Sequence, residues 1–542
     1  METIKEKISS LVEKAIKENQ AKGFLPDFGL PPIIIETPEE KEHGDYATNI
    51  ALRIGGAVKR NPWQVAETII AEIKALKPDL FAKIEIAGPG FINFFLSEKY
   101  LQAQVAEILK EKENYGDLKI GAGKKIQVEF ISANPTGPLT LGNARGGFFG
   151  DVLANVLQKA GFKVEKAYYI NDYGMQVLGL GHSVLKDSEA VYKGDYIDGL
   201  SKKIRTKDPY KAGEMAAKRI IKEIIAKTVA KMGIKYDEWI SETKLHQTGW
   251  SGKALAILKE KDLLYEDGGA VWFKAKKLGD SRDRVVIKQD GWKTYLAGDA
   301  GLHLYKFSEK KFAKVINIWG ADHYGDVSGL QAVVEALGHK GKLEIILLQF
   351  VTLVKEGKPF KMSKRLGTYV TVDELLEMAN LDAARFFFLT RSPDTHLNFD
   401  LDLAREQSEK NPVYYVQYGH ARICSIIRKI KNQKLNILLR KYRSKNTYQN
   451  LKILNHQSEI ALMKQLIRFP EIVEETAKDY QVQRLPQYAI DLATSFHQFY
   501  GECWVISEDK NLSQARLALV LATKTVLKNT LDLMGISAPA RM

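Results

Sequence analysis

Residues Lys124–Ile170 read KKIQVEFISANPTGPLTLGNARGGFFGDVLANVLQKAGFKVEKAYYI. KKIQVEFIS is rich in β-branched and aromatic residues and predicts a strand. The Pro/Gly loop ANPTGPLTLG follows, a helical pattern runs from about Asn143 to Lys159, Gly161 stops it, and VEKAYYI is a second strand. Strand, loop, helix and strand in this order form a βαβ unit, the seed of a parallel nucleotide-binding sheet. The loop carries neither GxGxxG nor GxxxxGK[ST], which disfavours the usual dinucleotide fold and a P-loop. It can still hold phosphate, because unpaired N–H groups and the helix dipole face an anion placed at a helix start.

Upstream, Ile4, Ile8, Leu11, Val12 and Ile16 share one helical face. The run from His43, HGDYATNIALRIGGAVKRNPWQVAETIIAEI, predicts a turn and then helices, with Pro62 in a first turn. IEIAGPGFINFFLS, from Ile84 to Ser97, predicts strands around a Gly-Pro-Gly turn. Residues 1–110 are therefore expected to form a small α+β domain and residues 111–400 the parallel-sheet domain. Within the latter, the charged stretch near 183–245 predicts a helical insertion, after which the sheet resumes with VWFKA, RVVIK, KVINIWG and LEIILLQFV. Beyond residue 401 strand signals fade, and residues 401–542 read as an all-α bundle. Between Arg422 and Arg443 there are eight Lys/Arg and no Asp/Glu. Such a face suits phosphates, and the nearby Tyr414, Tyr415, Tyr418 and Tyr442 suit unpaired bases. A solvated helix backed by core tyrosines has the same pattern.

A chain of 542 residues is too long for one compact domain. With 45% hydrophobic and 27% charged residues it is globular rather than disordered or fibrous. The net charge of +14 points to a polyanionic partner. The two cysteines, Cys424 and Cys503, form no CxxC pair, so neither a zinc site nor a disulfide framework is expected, which suits the cytoplasm. The opening METIKEKISSLVEKAIKENQ has no apolar signal core, and the most apolar stretch, Ile345–Val354, is too short to cross a bilayer. No membrane contact is expected.

Two distant segments carry chemistry: VEFISANPTGPLTLGNARGGFFGD, Val128–Asp151, and FKMSKRLGTYVTVDELLE, Phe360–Glu377. Lysines on a loop can neutralise charge that develops on phosphates during transfer. Together the segments resemble the two signatures of class I aminoacyl-tRNA synthetases. KMSK stands intact at Lys361, Met362, Ser363 and Lys364, whereas the HIGH position reads Thr140, Leu141, Gly142 and Asn143, with both histidines absent. SANPTGPL, YYIND at 168–172, DAARFFFLTRSPDTHLNFDLDLA at 382–404 and NPVYYVQYGHARICSI at 411–426 narrow the resemblance to arginyl-tRNA synthetases. HGDYATN, AGPGFINFFLS and the ending MGISAPARM are also similar to that family, so the resemblance spans the chain.

The resemblance implies a Rossmann-like catalytic domain, an N-terminal additional tRNA-binding domain and a helical anticodon-binding domain. It implies that ATP, L-arginine and tRNA(Arg) give arginyl-tRNA, AMP and diphosphate through arginyl-adenylate, with Mg2+ accompanying ATP and a monomeric enzyme. A guanidinium substrate calls for carboxylates. Family correspondence places arginine contacts at Glu129, Ser132, Asn134, Tyr295, Asp299 and His323. ATP contacts fall at Pro135, Gly137, Thr140, Gly142, Asn143, Lys361 and Lys364. Asp299 is expected to be the main guanidinium partner and Asn134 to hold the amino-acid head group. The competing expectation is a catalytically impaired, synthetase-like tRNA-binding protein, motivated by the altered HIGH position.

Overall fold

The computed structural model describes residues 1–76, 79–360, 370–432 and 451–542. Its centre is a five-stranded sheet built from Lys125–Glu129 (β1), Lys163–Ile170 (β2), Glu238–Ser241 (β3), Lys314–Gly320 (β4) and Leu343–Leu348 (β5). The spatial order is β5-β4-β1-β2-β3. Every pairing is parallel. Strand order reverses between β1 and β4, and in doubly wound sheets ligands bind beyond the carboxyl ends of the strands at such a point. The helix Leu141–Lys159 (α1) connects β1 to β2. Its thirteen buried residues include Phe148, Phe149, Val152 and Leu153, because the sheet covers one face and other helices the rest.

Three further helices flank the ligand end of the sheet: Glu242–Gln247 (α2), Tyr295–Leu304 (α3) and Tyr324–Ala336 (α4). The expected insertion near 183–245 is helical through Lys231, but Glu238–Ser241 is sheet strand β3. The strands expected at VWFKA and RVVIK do not rejoin the central sheet. With Leu264–Asp267 they make a separate antiparallel sheet. LEIILLQFV is also divided: β5 stops at Leu348, and Val351–Lys355 pairs in parallel with Leu397–Asp400. The break falls at Gln349, whose amide donates to the Pro393 carbonyl at 2.9 Å instead of continuing the ladder.

In the N-terminal unit, Phe81–Ala87, Phe91–Leu96 and Tyr46–Thr48 form an antiparallel sheet backed by Ile4–Ala21, Ile50–Val58 and Pro62–Leu76. Gly90 turns the hairpin at φ +135°, and a Cβ there would lie 2.9 Å from the Pro62 Cβ. The C-terminal helices Pro412–Asn432, Gln457–Ile467, Phe469–Asp479, Arg484–Glu502 and Lys510–Met534 pack as a bundle. Within it Tyr415 and Tyr418 lie against the His497 ring. Tyr442 and the distal part of the basic stretch lie outside the described residues.

The bundle is joined to the catalytic core through buried Arg385. Its guanidinium pairs with Asp151 of α1 and donates to the Met232 carbonyl at 2.7 Å and the Met534 carbonyl at 2.9 Å. One turn further along α1, Asn155 donates to the Leu533 carbonyl at 3.0 Å.

Candidate active site

The site begins where β1 ends. Ile131 and Ser132 both have positive φ, +66° and +40°, and a β-branched residue there is strained. The reversal lays Ser132, Ala133 and Asn134 across the mouth of the switch point. It is held by the Ser132 hydroxyl, which accepts from the Tyr169 amide at 3.0 Å and donates to Glu129 Oε1 at 3.3 Å. Asn134 is exposed, and its amide oxygen accepts from Asn171. Pro135 is buried outside the cavity lining, whereas Gly137, Thr140, Gly142 and Asn143 line it.

The cavity beyond the strands has a volume of about 990 Å³. Its deep end is acidic. Glu129 from β1, Glu242 from the first turn of α2 and Asp299 from α3 all reach it. Glu242 is buried, its Oε1 lies 3.5 Å from His246, and its Oε2 has no hydrogen-bond partner among the described residues. The Asp299 carboxyl is pushed up to about 8 by burial, then by the charges of Glu242 and Glu129. Two under-satisfied carboxylates at the end of a cavity are an incomplete ionic site, completed by a cation with several N–H donors. Tyr295 stands at the rim, 56% exposed, and Gln176 lines the same cavity. His323 is exposed between Asp322 and Asp326, 3.7 Å from each.

At the other end, α1 begins. The Asn143 side-chain oxygen accepts from the Thr140 amide at 2.9 Å and the Thr140 hydroxyl at 3.1 Å. Asn143 thus uses its oxygen to close the first turn, and its NH2 group remains to donate toward the cavity that it lines. Arg145, one turn on, donates to the carbonyls of Gln349, Ser392 and Thr395 at 2.6, 2.9 and 2.8 Å. Its buried fork holds the wall segment Gln349–Phe350 against the helix. Lys361, Met362, Ser363 and Lys364 lie outside the described residues.

Several polar residues in and behind the cavity, Glu242, Gln176 and the buried Lys306 among them, are not marked by the sequence. Glu242 directly follows β3, so recognising EWIS as a sheet strand would have marked it as a strand-end residue; four residues are too few to show a period. Gln176 and Lys306 carry no sequence signal.

Residues 104–195 and 195–387 match the family description tRNA synthetases class I (R), catalytic domain. Residues 2–96 match Arginyl tRNA synthetase N terminal domain, and 416–542 match DALR anticodon binding domain. The solved arginyl-tRNA synthetase of Thermus thermophilus superposes with a TM-score of 0.77 at 21% identity, covering 100% of both chains. The sheet order, the switch-point cavity and these matches define a class I aminoacyl-tRNA synthetase fold. Over its full length the chain is 42% identical to the arginine–tRNA ligase of Acetivibrio thermocellus, covering 99% of that protein. It is 41% identical to that of Bacillus subtilis, again covering 100% of this chain and 99% of the relative. The chain belongs to the arginyl-tRNA synthetase family.

Proposed function

We propose that this chain charges tRNA(Arg) with arginine by seating the guanidinium between Asp299 and Glu242. The observation that carries this reading is the acidic deep end: a raised Asp299 carboxyl and a buried Glu242 oxygen without a hydrogen-bond partner among the described residues. A guanidinium supplies the missing charge and a planar set of donors. Tyr295 closes over the side chain, Ser132 shapes the wall and Asn134 receives the head group. His323 stands within reach of the reacting end. The arginine carboxylate attacks the α-phosphate of ATP, a P–O bond forms, and diphosphate leaves. The terminal ribose hydroxyl of tRNA then takes the arginyl group and AMP departs. Both steps are catalysed by placement and charge stabilisation.

The triphosphate lies along Thr136, Gly137, Gly142 and the start of α1, with donors from Thr140 and Asn143, and Pro135 supports this loop from behind. Lys361 and Lys364 act on the same phosphates. Mg2+ is proposed to travel with ATP, neutralising phosphate charge. No group of three or more His, Cys, Asp or Glu that could cage a metal occurs among the described residues. Mg2+ commonly takes only one or two carboxylates besides phosphate oxygens, and rim residues Asp322 and Asp326 fit that requirement. We further propose the domain division 1–110, 111–400 and 401–542, and a cytoplasmic monomer acting away from membranes. Among the described residues no helix is long and apolar enough to cross a bilayer.

The test is aminoacylation of purified tRNA with each amino acid in turn, together with ATP–diphosphate exchange with and without tRNA. Arginine alone should be charged. The altered HIGH position, Thr140 to Asn143, motivates a second reading in which the chain only binds tRNA. Arginine-dependent exchange that is absent in the natural protein but appears in a Thr140→His, Asn143→His variant would establish that second reading.

A further inference from the structure

Behind the acidic end of the cavity lies a fully buried lysine. Lys306 sits in the π-helical turn Tyr305–Glu309 that extends α3. Asp299, His303 and Lys306 are four and then three residues apart, so they share one face of that helical run. Opposite them, the parallel register of β1 and β4 pairs Glu129 with Asn317. The Lys306 ammonium lies over this pair, 2.6 Å from Glu129 Oε2 and 3.4 Å from the Asn317 amide oxygen. Asn317 Nδ2 in turn contacts His303 Nε2 at 3.0 Å, and His303 Nδ1 contacts the Asp299 carbonyl at 2.8 Å. These contacts are mutually consistent only for a neutral imidazole that accepts at Nε2 and donates at Nδ1.

The charges of this end of the cavity then sort themselves. Three carboxylates, Glu129, Glu242 and Asp299, face one internal cation. A buried ammonium must have an anionic partner, and among the described residues only Glu129 is in contact with it. We propose that Lys306 is a built-in counter-ion, a positioning residue that engages Glu129 and thereby leaves Asp299 and Glu242 as the two carboxylates that receive the substrate cation. This assignment rests on the arginine-pocket reading and deepens it. Glu129 becomes the anchor of the lysine and of the Ser132 turn, and the pocket's charge is set from behind, by a residue that the substrate does not touch.

The groups that act electrostatically on Asp299 are Glu242 from α2, Glu129 from β1, Lys306 from its own helical run and Asp326 from α4. Tyr169 from β2 lies close enough to be raised by the Asp299 charge. Among these Lys306 is the sole cation.

The experiment is calorimetric titration of the full chain with L-arginine from pH 6 to 9.5, with ATP affinity and thermal melting as controls. The variants are Glu129→Gln, Lys306→Met, and the two together, in which a neutral pair replaces the ion pair. The Lys306→Met variant should move the pH midpoint of arginine affinity upward by about one unit and weaken binding about tenfold at neutral pH, ATP affinity being unchanged. The Glu129→Gln variant should move the midpoint downward, and the double variant should return it to the natural value. If Lys306→Met fails to fold, the other two variants still decide. A double variant whose midpoint equals that of Glu129→Gln overturns the counter-ion role, because removing Lys306 then changes nothing. Failure of the pocket reading itself has a different signature, namely unchanged arginine affinity in Asp299→Asn.

Discussion

Thr140 and Thr371 face each other in an antiparallel backbone bridge, and the Val372 amide donates to the Leu139 carbonyl at 2.9 Å. Two segments far apart in the chain, one opening the HIGH position and one following KMSK, are thereby joined. Thr371 also caps the helix Val372–Met378, receiving the Glu374 amide at 3.1 Å while Glu374 accepts from the Thr371 amide at 2.9 Å. The end of the KMSK segment is therefore tied to the start of α1.

This tie can be cut with one substitution. Val372 is the first residue of its helix, where proline is tolerated, and Thr371 already has the extended backbone that proline demands of its predecessor. Val372→Pro removes the N–H that reaches Leu139. Arginine-dependent ATP–diphosphate exchange should fall on the order of tenfold, a typical loss for one misplaced element of a phosphate site. The melting temperature should drop by only a few degrees. Unchanged exchange would show that the bridge does not position the lysine segment.

Asn143 has two tasks that two substitutions separate. Asn143→Asp keeps an oxygen to accept from Thr140 but loses the NH2 group, so it should retain the melting temperature and lose adenylation rate. Asn143→Ala loses both, adding a capping loss of about 0.5–2 kcal/mol to a rate loss of about tenfold or more. Equal rates for the natural and Asp proteins would remove the amide as a phosphate donor. Activity should also show no pH dependence from a histidine at Thr140 or Asn143.

Asp299→Ala should raise the KM for arginine steeply, by the equivalent of roughly 2–5 kcal/mol for a lost charge-assisted pair, and leave the KM for ATP nearly unchanged. Glu242→Gln keeps the side chain's size and one carbonyl oxygen, so its arginine penalty should be smaller but still specific to arginine. A Glu242→Gln protein with natural arginine affinity would place that carboxylate outside the site.

The raised Asp299 carboxyl gives arginine binding a defined pH dependence. Below about pH 8 the empty pocket carries a proton that the guanidinium must displace. Arginine affinity should therefore rise by about tenfold per pH unit as pH approaches 8 from below, then level off. Calorimetry in buffers of different ionisation enthalpy should show proton release at pH 7. For the empty protein the linkage runs the other way. A carboxyl raised by folding stabilises the fold at low pH, and that contribution is lost as pH rises from about 4, the unfolded value, to 8. Arginine should restore the lost melting temperature most strongly above pH 8. A pH-independent affinity would exclude a raised carboxyl at the binding site.

The C-terminal bundle should not be a detachable module. Ending the chain near Asp400 strips from Arg385 its Met534 carbonyl and from Asn155 its Leu533 carbonyl. The truncated protein should melt well below the natural one and lose most charging. Arg385→Met, which breaks the buried pair with Asp151, should destabilise by about 3 kcal/mol, at the low end for such a pair, because Lys166 still reaches Asp151 at 2.6 Å. In the full protein tRNA affinity should fall as salt rises, since binding releases counterions. Tight, salt-insensitive binding by the truncated chain would contradict the placement of tRNA on the bundle.

The sequence by itself determined the parts of the fold written in local pattern. Lys124–Ile170 declared its βαβ unit because strand, loop and helix each have a length and period that one segment can display. The residues after 401 declared helices for the same reason, and the resemblance of many segments named the family. Only the tertiary structure decided which strands share a sheet. VWFKA and RVVIK have good strand patterns but pair with each other, with Leu264–Asp267 on the far side of VWFKA, and EWIS, too short to show a period, completes the parallel sheet. The pocket's charge is likewise a product of three dimensions. Glu129, Glu242 and the run that carries Asp299 and Lys306 come from three different stretches of chain, and no spacing in the sequence says that a lysine reaches Glu129. The physical reason is that secondary structure follows from interactions a few residues long, whereas burial, ion pairing and a shifted carboxyl depend on neighbours that only folding brings together.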